Sequence, residues 1–397
     1  MRSRMNIRIT DASDVAGLTR NPSPAFVFRG RDNASGGGAA TPLPRGTRHD
    51  LAERISRAFA DAPQDSLIGG ALPFDRADQD CLWQCRAEPA AAEAVSTRGL
   101  PLQDWQIAAQ PPASDYSQSV GRALQLMQDE AGQTDALHKI VLARSLLVRA
   151  GHDIPVDALL RRLGQDPAVT AFRVALPPRD GRPVVLCGAT PELLLSKSGA
   201  EIASHPLAGS ARREVDPAID RSAAEALMGS DKDHREHAIV VEYIMDSLSP
   251  LCRELAIPQG TTLTSTRSMW HLGTRIEGRL RDMDTPSVVL ASLLHPTPAV
   301  CGLPMGRAES LIRELEPAPR DFYAGAVGWC DAQGDGAWHV AIRCAEICGA
   351  EARLYAGAGI VPGSDPLAEA HETGAKFGAF LAALGLPADA GLAGLIQ

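Results

Sequence analysis

Two stretches of this chain collect carboxylates at helical spacing. In DKDHREHAIVVEYI (231–244), Asp233 and Glu236 stand three residues apart, and in PLAEAHETGAK (366–376) Glu369 and Glu372 repeat the interval. Residues so spaced share one face of a helix, so each pair can present its oxygens in the same direction. Two such faces brought together could form a four-carboxylate site for a hard cation such as Mg²⁺. The plainer reading of the first stretch is a solvated helix start. Its acids would complement the macrodipole, Ser230 would cap, and Ile239, Val240, Tyr243 and Ile244 would supply the buried stripe.

Four other places carry groups able to do chemistry. Lys139 opens KIVLAR, whose apolar neighbours would partly desolvate its ammonium and suit it to act as a base; a strand-end lysine reaching out to water is the simpler alternative. Glu192, in GATPELLLSKSG, follows a proline turn and precedes three leucines; burial there raises proton affinity and suits a general acid. HPLAGSARR (205–213) sets a Gly-Ser turn before Arg212 and Arg213, either a β-turn with a solvated basic flank or a loop lining an anionic site. GAGIVPGS (357–364) spaces its glycines one residue too far for the dinucleotide fingerprint and lacks the Lys-Ser/Thr of a P-loop. Gly357 and Gly359 can still offer backbone amides to a small carboxylate, with Arg343 and Lys376 flanking the loop as a bidentate fork and a point charge.

The elements that must position these groups are of both kinds. Helices are expected at 51–62, over SDYSQSVGRALQLMQDEAG as far as Gly132, and near VDALLRRLGQ; strands are expected in DSLIGGALPF, across 138–150, and in TAFRVALP, PVVLCGATPELLLSKSG and AEIASHPLAG. From residue 321 onward, DFYAGAVGWCD, GAWHVAIRCAEICG and EARLYAGAGIVPGS read as three antiparallel strands with Gly-rich turns. Residues 32–46 read as an exposed Gly/Pro/Ala loop and 88–115 as an Ala/Pro-rich connector. Runs of strands and runs of helices favour α+β with antiparallel sheets over a doubly wound parallel sheet.

Composition sets the background. The 397 residues, 45% hydrophobic and 22% charged, are those of a globular chain able to bury a large core. A net charge of -9 disfavours nucleic acid or an anionic membrane as partner, so an anionic substrate must be caught by local Arg and Lys. MRSRMNIRITDASDV lacks a signal-peptide pattern and no apolar run approaches a membrane span, which places the chain in the cytoplasm with its eight cysteines reduced. The pairs Cys81/Cys85 and Cys344/Cys348 have three intervening residues and no matching His pair, which argues against structural zinc.

Taken in order, KIVLAR, GATPELLL, HPLAGSARR, DKDHREH, WHLGTRIEG, LHPTPAVCG, FYAGAVGWCD, IRCAE, YAGAGIVPGSDP and HETGAK resemble the consecutive blocks of the chorismate-utilising enzymes. Within that family they are most similar to isochorismate synthases of the catechol-siderophore type, PLAGSARR in particular. The resemblance runs from about Lys139 to Leu386. It implies one chorismate-binding domain over 1–397, with two antiparallel sheets packed as a sandwich flanked by helices, 1–110 as a divergent N-terminal half and 116–390 as the motif-bearing catalytic part.

The resemblance also implies roles. Lys139 matches the base that activates water and Glu192 the acid that protonates the departing hydroxyl. Glu236 and Glu372 match the carboxylates that hold Mg²⁺, supported by Asp233 and Glu369. Ala208, Gly209, Ser210, Ile342, Arg343, Tyr355, Gly357, Gly359 and Lys376 correspond to the substrate pocket, and His295 and Thr297 would line the ring site. The expected protein is a cytoplasmic monomer converting chorismate to isochorismate. Two departures bear on the product: Val300 and Tyr355 stand where siderophore-type enzymes commonly carry Leu and Phe, so salicylate formation with loss of pyruvate is the alternative. Ala208 stands where ammonia-using relatives carry a nucleophilic lysine, which favours water. A non-catalytic chorismate-binding homologue is the remaining reading, against which Lys139, Glu192, Glu236 and Glu372 are all present. Siderophore, menaquinone and salicylate-derived pathways all stay open.

Overall fold

The computed structural model describes residues 24–30, 34–87 and 105–392. The N-terminal segment and most of the connector at 88–115 therefore lie outside the described residues. Alternating apolar residues make long strands, and among the described residues every strand pairing is antiparallel and one 17-stranded system folds into two faces. The first face runs from Phe26–Arg29 through Thr170–Arg179, Arg182–Thr190, Cys344–Cys348 and Glu351–Ile360 to Lys139–Arg149. The second runs from Cys81–Ala87 through Ser66–Leu72, Ala326–Asp331, Gly336–Val340, Leu193–Ser198 and Glu201–His205 to Ile276–Leu280. The strand Ala34–Pro42 pairs with both and joins them. The two faces bury Phe26, Ile140, Phe172 and Val174 against Ile68, Leu82, Leu195 and Trp338 in one continuous apolar core. On the other side of the first face, the helices Val156–Leu163 and Pro366–Leu384 cover Leu146, Val148 and Leu354 with Leu159, Leu160, Phe377 and Leu381. The α+β sandwich flanked by helices is thus as the sequence implies.

Four local features differ from expectation. Residues 34–42 form a strand where an exposed loop is expected, because the joint between the sheets gives that backbone partners on both sides. GAWHVAIRCAEICG is two strands, not one: the chain breaks after Val340, Arg343 takes a left-handed conformation at φ 52°, and the strand resumes at Cys344 in the opposite face. Arg182–Thr190 and Leu193–Ser198 make the same jump at Pro191-Glu192. The two crossings lie side by side, with Ala189 N–H donating to Arg343 O (3.2 Å) and Val340 N–H to Glu192 O (3.1 Å). A separate three-stranded sheet, Leu207–Arg212, Met269–Thr274 and Thr261–Ser265, was not anticipated; it packs against the helix Asp231–Leu248. All eight cysteines are free and buried. No helix among the described residues is long and apolar enough to cross a membrane.

Candidate active site

The expected groups converge where the two sheet crossings, the small sheet and two helices meet. The floor is the antiparallel pair Lys139–Arg149 and Glu351–Ile360, in which Val141 lies opposite Gly359 and Ala143 opposite Gly357. The glycines are small here for a reason: a Cβ on Gly359 would sit 2.0 Å from Glu236 Oε1 and 3.3 Å from Lys139 Cε. Its absence admits the Glu236 side chain to the floor. Ser230 caps the helix Asp231–Leu248 by accepting from Asp233 N–H, as expected, and the buried face runs through Glu236, His237, Val240, Ile244 and Leu248. Glu236 therefore points inward on the same stripe that packs the helix, which the charge-rich sequence of its first turns conceals.

A small chamber of about 80 Å³ results, lined by Glu192, Ala208, Gly209, Ser210, Glu236, Ile342, Arg343, Tyr355, Gly357, Gly359, Glu372 and Lys376 among the expected residues. Lys139 is fully buried beneath it, its Nζ 3.1 Å from Glu236 Oε1 in an ion pair that lacks hydrogen-bond geometry. Glu372 is 2.6 Å from Lys376 Nζ and accepts from Ser210 Oγ at 2.7 Å. Burial raises its proton affinity, but the Lys376 charge and hydrogen bond outweigh this and hold the carboxyl below its usual range. Lys376 also donates to Gly357 O at 2.9 Å. Burial pushes the Glu192 carboxyl up to about 7, against the opposing pull of the Leu207 N–H and the charges of Lys139, Lys376 and Arg343. Burial likewise lowers the Arg343 guanidinium to about 10.

Four expected residues sit elsewhere. Glu369 is buried behind Glu372 and bound to Lys232 Nζ at 2.7 Å; burial, then the charge of Glu372, raises it to about 6. Asp233 lies against the far side of the Gly209 bulge, where a Cβ on that glycine would come within 3.0 Å of its own. His295 turns away from the chamber: its Nε2 bonds with Pro73 O at 3.0 Å and its ring meets Phe74 edge-on. Thr297 shapes a turn, its carbonyl accepting from Val300 and Cys301 N–H and its hydroxyl from Ala299 N–H. That turn puts Ala299 and Val300, not the HPTP side chains, on the chamber wall. The four-carboxylate cradle does not assemble as spacing alone allows: among the described residues no three His, Cys, Asp or Glu groups stand close enough to enclose a metal ion.

Two polar lining residues are not marked by the sequence. His271 is in register with Ser210 across the small sheet, just past the bulge at Gly209, which takes φ 76°. Burial holds its imidazole well below 6.5, its ring donates to Gly209 O, and its Nε2 is buried without a partner, so it presents a neutral acceptor. Tyr323 stacks on Tyr355 with centroids 4.8 Å apart. The only sequence hints were a histidine alternating with apolar residues in WHLGT and the aromatic of FYAG.

A buried acid near neutrality, a buried lysine on a carboxylate, and Arg and Lys beside glycine amides make a site for proton transfers on a small anion. The model of the family described as "Chorismate binding enzyme" matches residues 79–385. The chain belongs to the chorismate-binding enzymes. This chorismate-binding enzyme is 40% identical to isochorismate synthase EntC of Escherichia coli (strain K12), over 84% of its own length and 86% of the relative's. Its fold is similar to that of a Bacillus anthracis protein provisionally described as a 2,3-dihydroxybenzoate-specific isochorismate synthase, with TM-score 0.83, 37% identity and coverage of 92% and 96% of the two chains. The menaquinone-specific isochorismate synthase MenF of Escherichia coli is similar at TM-score 0.75 and 25% identity, with coverage of 92% and 90%.

Proposed function

We propose that this chorismate-binding enzyme is an isochorismate synthase, and the observation that carries the reading is the buried Glu192, poised at about 7 in the same chamber as Glu236 and its ion-paired Lys139. Water adds to one ring carbon while a hydroxyl leaves from another, so one group must take a proton and another give one. Lys139 takes the proton of the attacking water, and Glu192 gives its proton to the departing hydroxyl, which leaves as water. Arg343, Lys376 and the amides near Gly357 and Gly359 hold carboxylate, and His271 Nε2 accepts from a hydroxyl. Ala208 supplies no amine, in keeping with water as nucleophile.

Mg²⁺ fits the donors present. It keeps several waters and takes one or two carboxylates plus substrate oxygens, and Glu236 and Glu372 are carboxylates on the chamber wall that each stand beside a lysine. When bound, the ion would offset the charge of the ring carboxylate and draw electron density toward it. A cation on Glu236 would compete with Lys139 for the same carboxylate. Glu369, through Lys232, and Asp233, against Gly209, support the two ligands from behind.

The reading takes the whole chain as one chorismate-binding unit, with 116–390 carrying the motifs and 1–110 completing the sheets; the pairing of Ser66–Leu72 with Ala326–Asp331 supports this. It places the enzyme in the cytoplasm, in keeping with eight free thiols, and takes it as a monomer. Catechol siderophore synthesis is the preferred destination, on the PLAGSARR and DKDHREH blocks. Incubation with chorismate and Mg²⁺, with and without EDTA, followed by chromatography and a pyruvate assay, tests the reading. Metal-dependent isochorismate without pyruvate is expected. Salicylate with equimolar pyruvate would move the enzyme to the second branch and implicate Val300 and Tyr355, and no consumption would refute catalysis.

A further inference from the structure

The chamber measures about 80 Å³. Beside it lies a cavity of about 770 Å³. Arg343 and Pro191 line both, so the two spaces share a wall at the sheet crossings, and Pro191 is the immediate neighbour of Glu192.

The larger cavity has two unlike sides. One is the small-residue face of the helix Pro366–Leu384, where Ala379 and Ala382 are exposed to it. The other is basic, formed by Arg212 and Arg213 at the end of HPLAGSARR and by Arg267 in the turn before Met269–Thr274. Arg213 is committed to Asp220 at 2.9 Å. Arg212 and Arg267 are exposed and have no ion-pair partner among the described residues. Two acids also line the cavity, Asp389 and Asp166, and the latter accepts from the backbone N–H groups of Ala168 and Arg267. On a chain of net charge -9, an unpaired basic wall at the mouth of a concave site concentrates field lines and draws anions from solution.

We propose that this cavity is the vestibule through which the dianionic substrate reaches the chamber, with Arg212 and Arg267 steering it in past the Ala379 face of the last helix. The assignment rests on the chorismate reading above and adds the route and the residues that govern capture. Neither arginine touches the reacting atoms, so both act on kcat/KM and not on kcat. Their influence is electrostatic and long-range, so salt abolishes it.

The test compares the parent enzyme with Arg212→Gln, Arg267→Gln, the double variant and Ala379→Trp, in steady-state turnover of chorismate with saturating Mg²⁺ from low to high ionic strength. At low salt the double variant should lose about five- to tenfold in kcat/KM, with kcat within about twofold. The gap should close near 1 M salt, where the Debye length is about 3 Å. Ala379→Trp, which fills the passage without changing charge, should lower kcat/KM equally at all salt concentrations while the melting temperature stays at the parent value. An unchanged kcat/KM in the double variant at low salt, a loss independent of salt, or an Ala379→Trp variant that still turns over at the parent rate would each overturn the vestibule. Should the parent fail to consume chorismate, the functional reading fails first. The same proteins are then compared for chorismate affinity by calorimetry, where salt-sensitive weakening in the double variant supports the vestibule and equal affinity removes it.

Discussion

Glu192 is a carboxyl whose surroundings decide its charge at the pH where it must work. Burial raises it to about 7 because the ionised form loses its water, and three nearby cations only partly restore the balance. Below that value it carries the proton that the proposed acid role requires; above it the proton is gone. The turnover rate of the parent enzyme should therefore decline above about pH 7, approaching tenfold per unit, and a profile flat to pH 9 would remove Glu192 from the acid role. Glu192→Gln keeps the shape and deletes the proton, and Lys139→Met keeps the length of a side chain that is fully buried. Each should lower kcat by about 10²- to 10⁴-fold while chorismate affinity by calorimetry stays within about threefold. Residual turnover near the parent level in Lys139→Met would mean that another group takes the proton of water. The identity of both residues is legible in the sequence, because each sits in a block that resembles a family motif. Their environment is not: Lys139 is paired with Glu236, which lies far along the chain, and no local pattern records that contact.

At the scale of elements, the site depends on interruptions. Regular strands would carry Glu192 and Arg343 straight on in one sheet; the breaks at Pro191 and at Arg343 send both chains into the other sheet and leave these side chains at the seam. The bulge at Gly209 likewise sets Ser210 beside His271 and within reach of Glu372. Gly359 is the counterpart on the floor, an absence of side chain that Glu236 fills. Gly359→Ala is accordingly a test of the cradle. Its methyl cannot coexist with Glu236 Oε1, so Glu236 must swing away. Mg²⁺ affinity by calorimetry and turnover should both fall at least about tenfold, while stability falls by about 1–3 kcal/mol through overpacking. Unchanged Mg²⁺ affinity would separate Glu236 from metal binding. In sequence, the stretch from 321 reads as three strands because apolar residues continue through AIRC. Only the left-handed backbone at Arg343 reveals the fourth, and that conformation is set by the hydrogen bonds of the neighbouring crossing.

For the whole molecule, the sandwich buries histidines that play no part in the proposed chemistry, and these couple folding to pH. Burial lowers the His295 imidazole to about 4, below its value of 6.5 in an unfolded chain. Between those values the unfolded state binds the extra proton, so the contribution of His295 to stability is complete above about pH 6.5 and is lost as the pH falls toward 4. The melting-temperature advantage of the parent over His295→Asn should be largest at pH 7 and shrink steadily on acidification to pH 4; an advantage constant across that window would contradict a buried neutral ring. By itself the sequence determined the fold class, the order of the blocks, and the family to which they belong. Periodicity and motif spacing are local properties, and information of that kind survives in one dimension. The tertiary structure alone decided that Asp233 and Glu369 stand outside the chamber that Glu236 and Glu372 line, that His295 and Thr297 brace a wall instead of lining it, and that His271 and Tyr323 join the site. Those outcomes depend on which sheet a strand enters and which side of a helix meets it, and packing between residues remote in sequence fixes both.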